Sequence, residues 1–200
     1  MRRRILSAGA LAGAAMILGA CGSSHTTAPS GSATTSVGTP DPNGTEVLPP
    51  GDIPDNQVFV SYSSLSRGYS LSYPQGWAQR RSAATTTFTQ YFNSIAVMTA
   101  KAPKPTTASV RAGAVTRLRA RLGFKLVKVD TATRSAGKAI RIVYDETSQP
   151  DAVTGKSITL EVERYLFWRD GTLATITLSS PKGSDNVDPW RKVTNSLVWR

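Results

Sequence analysis

Two carboxylates, Glu161 and Glu163, form the closest pair of acids in the chain whose spacing suits catalysis. Two positions apart on a strand they share a face, with Cα atoms ~6.5–7 Å apart, and two carboxylates at such a separation are the equipment of a glycoside hydrolase. Their neighbours Leu160 and Val162 take the opposite face. The plainer expectation is therefore a solvated strand surface backed by the core. Nothing else completes a catalytic set. The single histidine, His25, lies in a Ser/Thr-rich stretch near the N-terminus, so Ser-His, Cys-His and His-metal arrangements are missing from the rest of the chain. The Gly-x-Ser-x-Gly, His-Glu-x-x-His and phosphate-loop patterns are absent too. These observations point to a protein that is not an enzyme and has no catalytic, metal or cofactor residues.

One side chain does have a definite chemistry. Cys21, the only cysteine, follows Arg2, Arg3 and Arg4 and an uncharged stretch from Ile5 to Ala20. A positive start and a short apolar run make a secretory signal peptide, and 16 apolar residues fall short of the ~20 that span a bilayer. Leu18-Gly19-Ala20-Cys21 resembles the lipobox of bacterial lipoproteins, whose cysteine thiol is alkylated with diacylglycerol and becomes the first mature residue. A thiolate is the common side chain nucleophilic enough to form that thioether. The expected address is the extracytoplasmic face of the cell membrane, through a lipid on Cys21. With no second cysteine, the mature domain has no disulfide and relies on its hydrophobic core.

Residues 22–57 read as a disordered tether. They are rich in Ser, Thr, Gly and Pro, contain no Lys or Arg, and lack hydrophobic periodicity. As a flexible coil the segment would reach roughly 30–36 Å. The division expected is thus signal peptide 1–20, lipidated cysteine and tether 21–57, and a folded domain 58–200. That domain holds 21 basic and nine acidic side chains, a formal charge of +12. In an exported protein this points away from nucleic acid and towards an envelope protein partner, an anionic lipid or a wall polymer. Arg80, Arg81, Arg117 and Arg119 are the candidate partner-binding residues, with ordinary solvated charge as the alternative. The sequence does not disclose an oligomeric state.

The elements that must position these groups are strand-rich. Tyr69–Tyr73 alternates with period two and leads into Pro74-Gln75-Gly76-Trp77, a turn followed by an aromatic that packs over the edge of the core. Thr85–Ala100 holds two strands, with Phe88, Phe92, Ile95 and Val97 as core residues. A helix is expected over 107–122, capped by Thr106 or Thr107 and closed by Gly123, its buried stripe being Val110, Ala114, Val115, Leu118 and Leu122. Such a basic amphipathic helix either lies on a membrane or covers the sheet, and a strand-rich domain favours the second. Further strands follow through Phe124, Leu126, Val127 and Val129, then Ile140, Ile142 and Tyr144, then Ile158, Leu160 and Val162. The alternation slips between Val162 and Tyr165, suggesting a bulge. Asp170-Gly171 between apolar runs marks a hairpin, and Asp188-Pro189 starts a closing helix with Trp190, Val193 and Leu197 on one face.

In order, these features resemble PsbP-like domains. The carriers are Tyr69–Trp77 with its Pro-x-Gly-Trp, the helix near 107–122, Gly137-Lys138-Ala139 leading into a strand, the Trp168–Gly171 hairpin, and the closing helix. Together with the lipobox they resemble actinobacterial, especially mycobacterial, LpqN-type lipoproteins. The resemblance covers residues 58–200 and implies the PsbP/Mog-like α+β fold, an antiparallel sheet between helices in α/β/α layers. It also implies a non-enzymatic binding or assembly role and transfers no catalytic residue. The function expected is a lipid-anchored adaptor in envelope assembly or transport. The alternative is a carrier or sensor of a small apolar or anionic, lipid-like ligand between sheet and helix; a two-carboxylate hydrolase ranks last.

Overall fold

The computed structural model describes residues 51–151 and 153–200. Cys21, His25, the signal peptide and the tether up to residue 50 lie outside the described residues.

Among the described residues ten strands, two longer helices and a 3-10 turn (Leu65–Arg67) follow one another: β1 (Phe59–Ser64), β2 (Tyr69–Pro74), β3 (Ala78–Arg81), β4 (Thr85–Gln90), β5 (Asn93–Lys101), helix α1 (residues 107–118), β6 (Lys125–Arg134), β7 (Gly137–Thr147), β8 (Thr159–Arg169), β9 (Thr172–Pro181), helix α2 (Val187–Asn195) and β10 (Val198–Trp199). Seven strands form one antiparallel sheet in the order β3-β4-β5-β9-β8-β7-β6. The other three form a smaller sheet, β1-β2-β10.

Apolar side chains cover both faces of the large sheet. On one face Phe88, Ile95, Val97, Phe167, Ile176 and Leu178 are fully buried beneath the small sheet and α2. Trp190 and Val193 of α2 close this layer, and Trp77 meets Trp190 edge-on with ring centroids 6.3 Å apart. On the other face Val110, Val115 and Leu118 of α1 pack on Val129, Ile142, Tyr144 and Val162. Helix, sheet, then helix is the α+β layering expected from the sequence, and the small sheet β1-β2-β10 is an addition to it.

The β8–β9 hairpin forms where Asp170-Gly171 predicted it. Arg169 pairs with Thr172, and Asp170 and Gly171 have φ of 47° and 77°. A two-residue turn matching the strand twist needs positive φ at both centres, which Asp tolerates and Gly accepts freely.

Four local expectations change. Helix α1 ends at Leu118, and Leu122 is 73% exposed. Its middle, Arg111–Val115, is π-wound, so the buried side chains run Val110, Val115, Leu118 and the phase of a regular stripe is lost. Thr106 does cap it, accepting from Ser109 N–H while Ser109 returns the bond. The register of β8 is continuous from Leu160 to Phe167, without the bulge expected near Val162. The alternation breaks there because both faces are covered from Tyr165 onward, which makes an apolar run. The irregularity sits in β6 between Leu126 and Lys128, and it turns Val127 outward, 56% exposed. Finally, the folded part extends beyond residue 58 to Gly51. Ile53 is buried and donates its N–H to Asn186 Oδ1 at 2.8 Å, and Gly51 O accepts from Asn93 and Asn186, each at 2.9 Å. One buried apolar side chain and matched backbone bonds hold a segment whose composition alone reads as linker.

Candidate anion-binding end

The strands of the large sheet gather cations at one end. β5 finishes at Lys101, β7 begins beside Lys138, and β8 finishes at Arg169. Lys104 follows β5, Arg67 precedes β2, and Arg200 follows β10 and donates its N–H to Gly68 O at 2.9 Å. Two recesses flank the β8–β9 turn and share Arg169 and Asp170. The first, about 470 Å³, lies between the segment entering α1 and the ends of β6, β7 and β8. The second, about 690 Å³, lies between the turn, the end of β5 and the small sheet.

These cations are held without being neutralised. Among the described residues Arg67, Lys101, Lys104, Lys138 and Arg200 have no carboxylate within ion-pair distance, and Arg169 has Asp170 alone, at 3.4 Å. Their contacts are neutral. Lys101 Nζ donates to Thr172 Oγ1 at 3.1 Å, Arg67 Nη1 to Thr86 Oγ1 at 2.8 Å, and Arg200 Nε to Ser70 Oγ at 3.2 Å. Arg67 also donates to the carbonyls of Ser82 and Ala83. Lys104 Nζ lies 5.8 Å from the centre of the Trp168 ring, and Trp168 Nε1 donates to Ala102 O at 2.9 Å, which fixes the indole plane. Positive charge with little local countercharge is the footprint of a surface that attracts anions.

The opposite end has the acids. Asp145 meets Lys182 at 2.6 Å, and Glu146 meets Arg121 through both carboxylate oxygens at 2.6 Å. The hydrogen bonds that Arg121 donates to Glu146 raise its pKa, against a smaller opposing effect of burial. The folded chain enters at this end, where Gly51 lies beside Pro181 and Ser184 and Asp52 accepts from the N–H of Asp185. β9 runs from the cationic turn to Pro181, so at ~3.4 Å per residue the two ends stand ~30 Å apart.

The sequence-derived candidates lie elsewhere. Arg80 and Arg81 are exposed on the edge strand β3, Arg117 is exposed on α1, which packs towards the far edge of the sheet, and Arg119 is exposed just past its end. The structure therefore does not gather these four arginines into one patch. Glu161 and Glu163 share a face as expected, with Leu160 and Val162 turned to α1. Glu161 is exposed, opposite Asp145 and Ser180. Glu163 is engaged: Tyr165 OH donates to Oε2 at 2.5 Å, and Arg141 Nη1 lies 3.6 Å from Oε1. Arg141 also donates to both oxygens of Asp130, at 2.9 and 2.7 Å, holding that carboxyl below the usual carboxylate range against a smaller opposing effect of burial. Burial, aided by Glu163, pushes the Tyr165 hydroxyl up. Each carboxylate of this network other than Glu161 is thus bound to a fixed donor, an arrangement that orders the sheet surface. Among the described residues no group of three or more His, Cys, Asp and Glu side chains could hold a metal ion, and no helix is long and apolar enough to cross a membrane.

No family model and no curated protein matches the sequence. Solved structures do. The PsbP protein of the cyanobacterium Synechocystis matches with 15% identity over 75% of this chain and 98% of its own, at a TM-score of 0.51. The Ran-binding protein Mog1p of Saccharomyces cerevisiae matches with 11% identity over 72% of this chain and 96% of its own, at 0.48. LpqN of Mycobacterium tuberculosis, described as involved in cell envelope biogenesis, matches with 16% identity over 72% and 85%, at 0.42. The chain spans about half, 48%, of a further match from Bacteroides thetaiotaomicron. At these identities the likeness concerns the backbone alone: the chain has a PsbP-like α+β fold, an antiparallel sheet flanked by helices.

Proposed function

We propose that this protein is a lipid-anchored, extracytoplasmic binding or adaptor module of the cell envelope, non-catalytic, which meets an anionic partner with its cationic end. One observation carries the reading: six cations surround the β8–β9 turn with Asp170 as the lone acidic side chain among the residues lining the two recesses. The address rests on sequence, through the basic and apolar N-terminus and the Leu18–Cys21 lipobox. The order of motifs resembling LpqN-type lipoproteins supports the same address.

Two experiments test this. Cys21→Ala abolishes labelling by a metabolic fatty-acid probe and moves the protein out of the membrane fraction; unchanged labelling refutes the anchor. Purification of the lipidated protein from native membranes recovers a partner that is released at high salt. A partner retained unchanged across the salt series contradicts an electrostatic interface.

The carrier reading has a narrower footing. The α1–sheet interface is filled by Val110, Val115 and Leu118, each 3–4% exposed, so a cargo would have to enter the 470 Å³ recess at the start of α1. Native mass spectrometry of the purified protein distinguishes the two, since a carrier leaves the cell with its cargo.

A further inference from the structure

The recess beside Trp168 narrows the class of anion. Its wall comprises the Trp168 ring, with Ile140 and Leu166 behind it, and its rim carries Lys104, Lys138 and Arg169. The indole N–H is spent on Ala102 O, so Trp168 offers a ligand only its apolar ring face. Thr106 Oγ1 is spent on the cap of α1. The lining contains no Asn, Gln, Glu or His, and its one carboxylate, Asp170, is 88% exposed and turned to Arg169. A sugar ring presents many hydroxyl donors and calls for amide or carboxylate acceptors beside it, and here the side-chain acceptors are the hydroxyls of Thr107 and Thr131 and the outward-turned Asp170. An apolar or aromatic body with carboxylates on either side matches a ring wall and a rim of donors. About 470 Å³ is room for such a body, within the range of small-ligand sites.

We infer that the Trp168 recess is a docking site for an acidic peptide segment, one of whose aromatic side chains lies against Trp168 while its flanking carboxylates face Lys104, Lys138 and Arg169. This rests on the anion-binding reading above and names the partner class for one part of that end. The aromatic side chain displaces Lys104 from the ring face, and the freed ammonium turns to a carboxylate, so no donor is stranded. The larger recess, which shares Arg169, takes the continuation of the same acidic segment past the turn.

The test uses the full chain and a fluorescein-labelled peptide of alternating Asp and Phe, read by fluorescence anisotropy. Replacing its Asp by Asn, or its Phe by Ala, is expected to weaken binding about tenfold or more, the loss of one good anchor. In the protein, Lys104→Glu with Lys138→Glu weakens it about as much. Trp168→Ala does the same, whereas Trp168→Phe keeps a ring and most of the affinity. Loss of binding with the Ala-for-Phe peptide needs no protein variant, so it stands even if Trp168→Ala fails to fold. Equal binding of the Phe and Ala peptides overturns the inference, because the site then reads charge alone. Binding of phosphatidylglycerol vesicles through Lys104 and Lys138, with no binding of the peptide, also overturns it, while leaving the anion-binding reading in place. Failure of both probes, with no salt-released partner from native membranes, removes both.

Discussion

Gly123→Ala is expected to cost far more than Gly155→Ala, although the two glycines have nearly the same backbone conformation, φ +68° and +67°. An L-residue in the left-handed region costs about 1 kcal/mol or slightly more, and both variants bear that. Their surroundings differ. A Cβ at 155 meets nothing within 4 Å, whereas a Cβ at 123 overlaps Thr147 Oγ1 and lies 3.0 Å from Thr147 N. The hydroxyl can rotate away. The backbone nitrogen cannot, because Thr147 N–H donates to Leu122 O at 2.8 Å, tying the end of α1 to the end of β7. Overpacking of this kind adds about 1–3 kcal/mol, which puts Gly123→Ala near 2–4 kcal/mol and Gly155→Ala near 1. Urea unfolding at constant m-value measures both. A difference below about 0.5 kcal/mol would refute the placement of the α1–β6 turn against the end of β7.

Other consequences follow from the core and the charged face. Leu178→Ala, at a fully buried site in β9, should lose about 2–5 kcal/mol by the same assay; a loss under 1 would place β9 outside the sheet centre. Asp130 has a depressed folded pKa, so its ion pair with Arg141 contributes stability above the unfolded value of about 3.9, and that contribution fades as pH falls through the folded value. Asp130→Asn should therefore be less stable than wild type at pH 7, by about 1 kcal/mol for so exposed a pair, and the gap should shrink as pH falls below the unfolded value; a gap independent of pH contradicts the linkage. Glu161→Gln and Glu163→Gln should leave biological activity intact at normal protein levels. Complementation lost in either would return the hydrolase to consideration.

Much of this architecture is legible in the sequence because it rests on local signals. Period-two alternation marks β2 and β7, Asp170-Gly171 dictates its hairpin, and Thr106 with Ser109 caps α1. What escapes is non-local or a matter of phase. The π-wound turn of α1 shifts its buried stripe, and no residue type announces it. Tyr69–Pro74 alternates as a main-sheet strand would, yet pairs with β1 and β10, a choice made by tertiary packing. The cationic end shows the limit most clearly. Lys101, Lys138 and Arg169 come from different strands and meet because β5 pairs with β9, β9 with β8 and β8 with β7. The sequence offered Arg80-Arg81 and Arg117/Arg119, which are conspicuous as neighbours along the chain. A sharper signal was present: cations at the ends of strands that the Asp-Gly hairpin brings together.

The most direct test of the account compares two charge reversals of equal size in the full-length protein. One variant changes Lys101, Lys104, Lys138 and Arg169 to Glu, and the other changes Arg80, Arg81, Arg117 and Arg119 to Glu. Partner recovery from native membranes is quantified for each against wild type, with circular dichroism confirming the fold. The account predicts that the first set abolishes recovery and the second leaves most of it. Equal loss from both sets would mean that net charge alone draws the partner, and loss from the second set only would place the interface on β3 and α1 and contradict the cationic end.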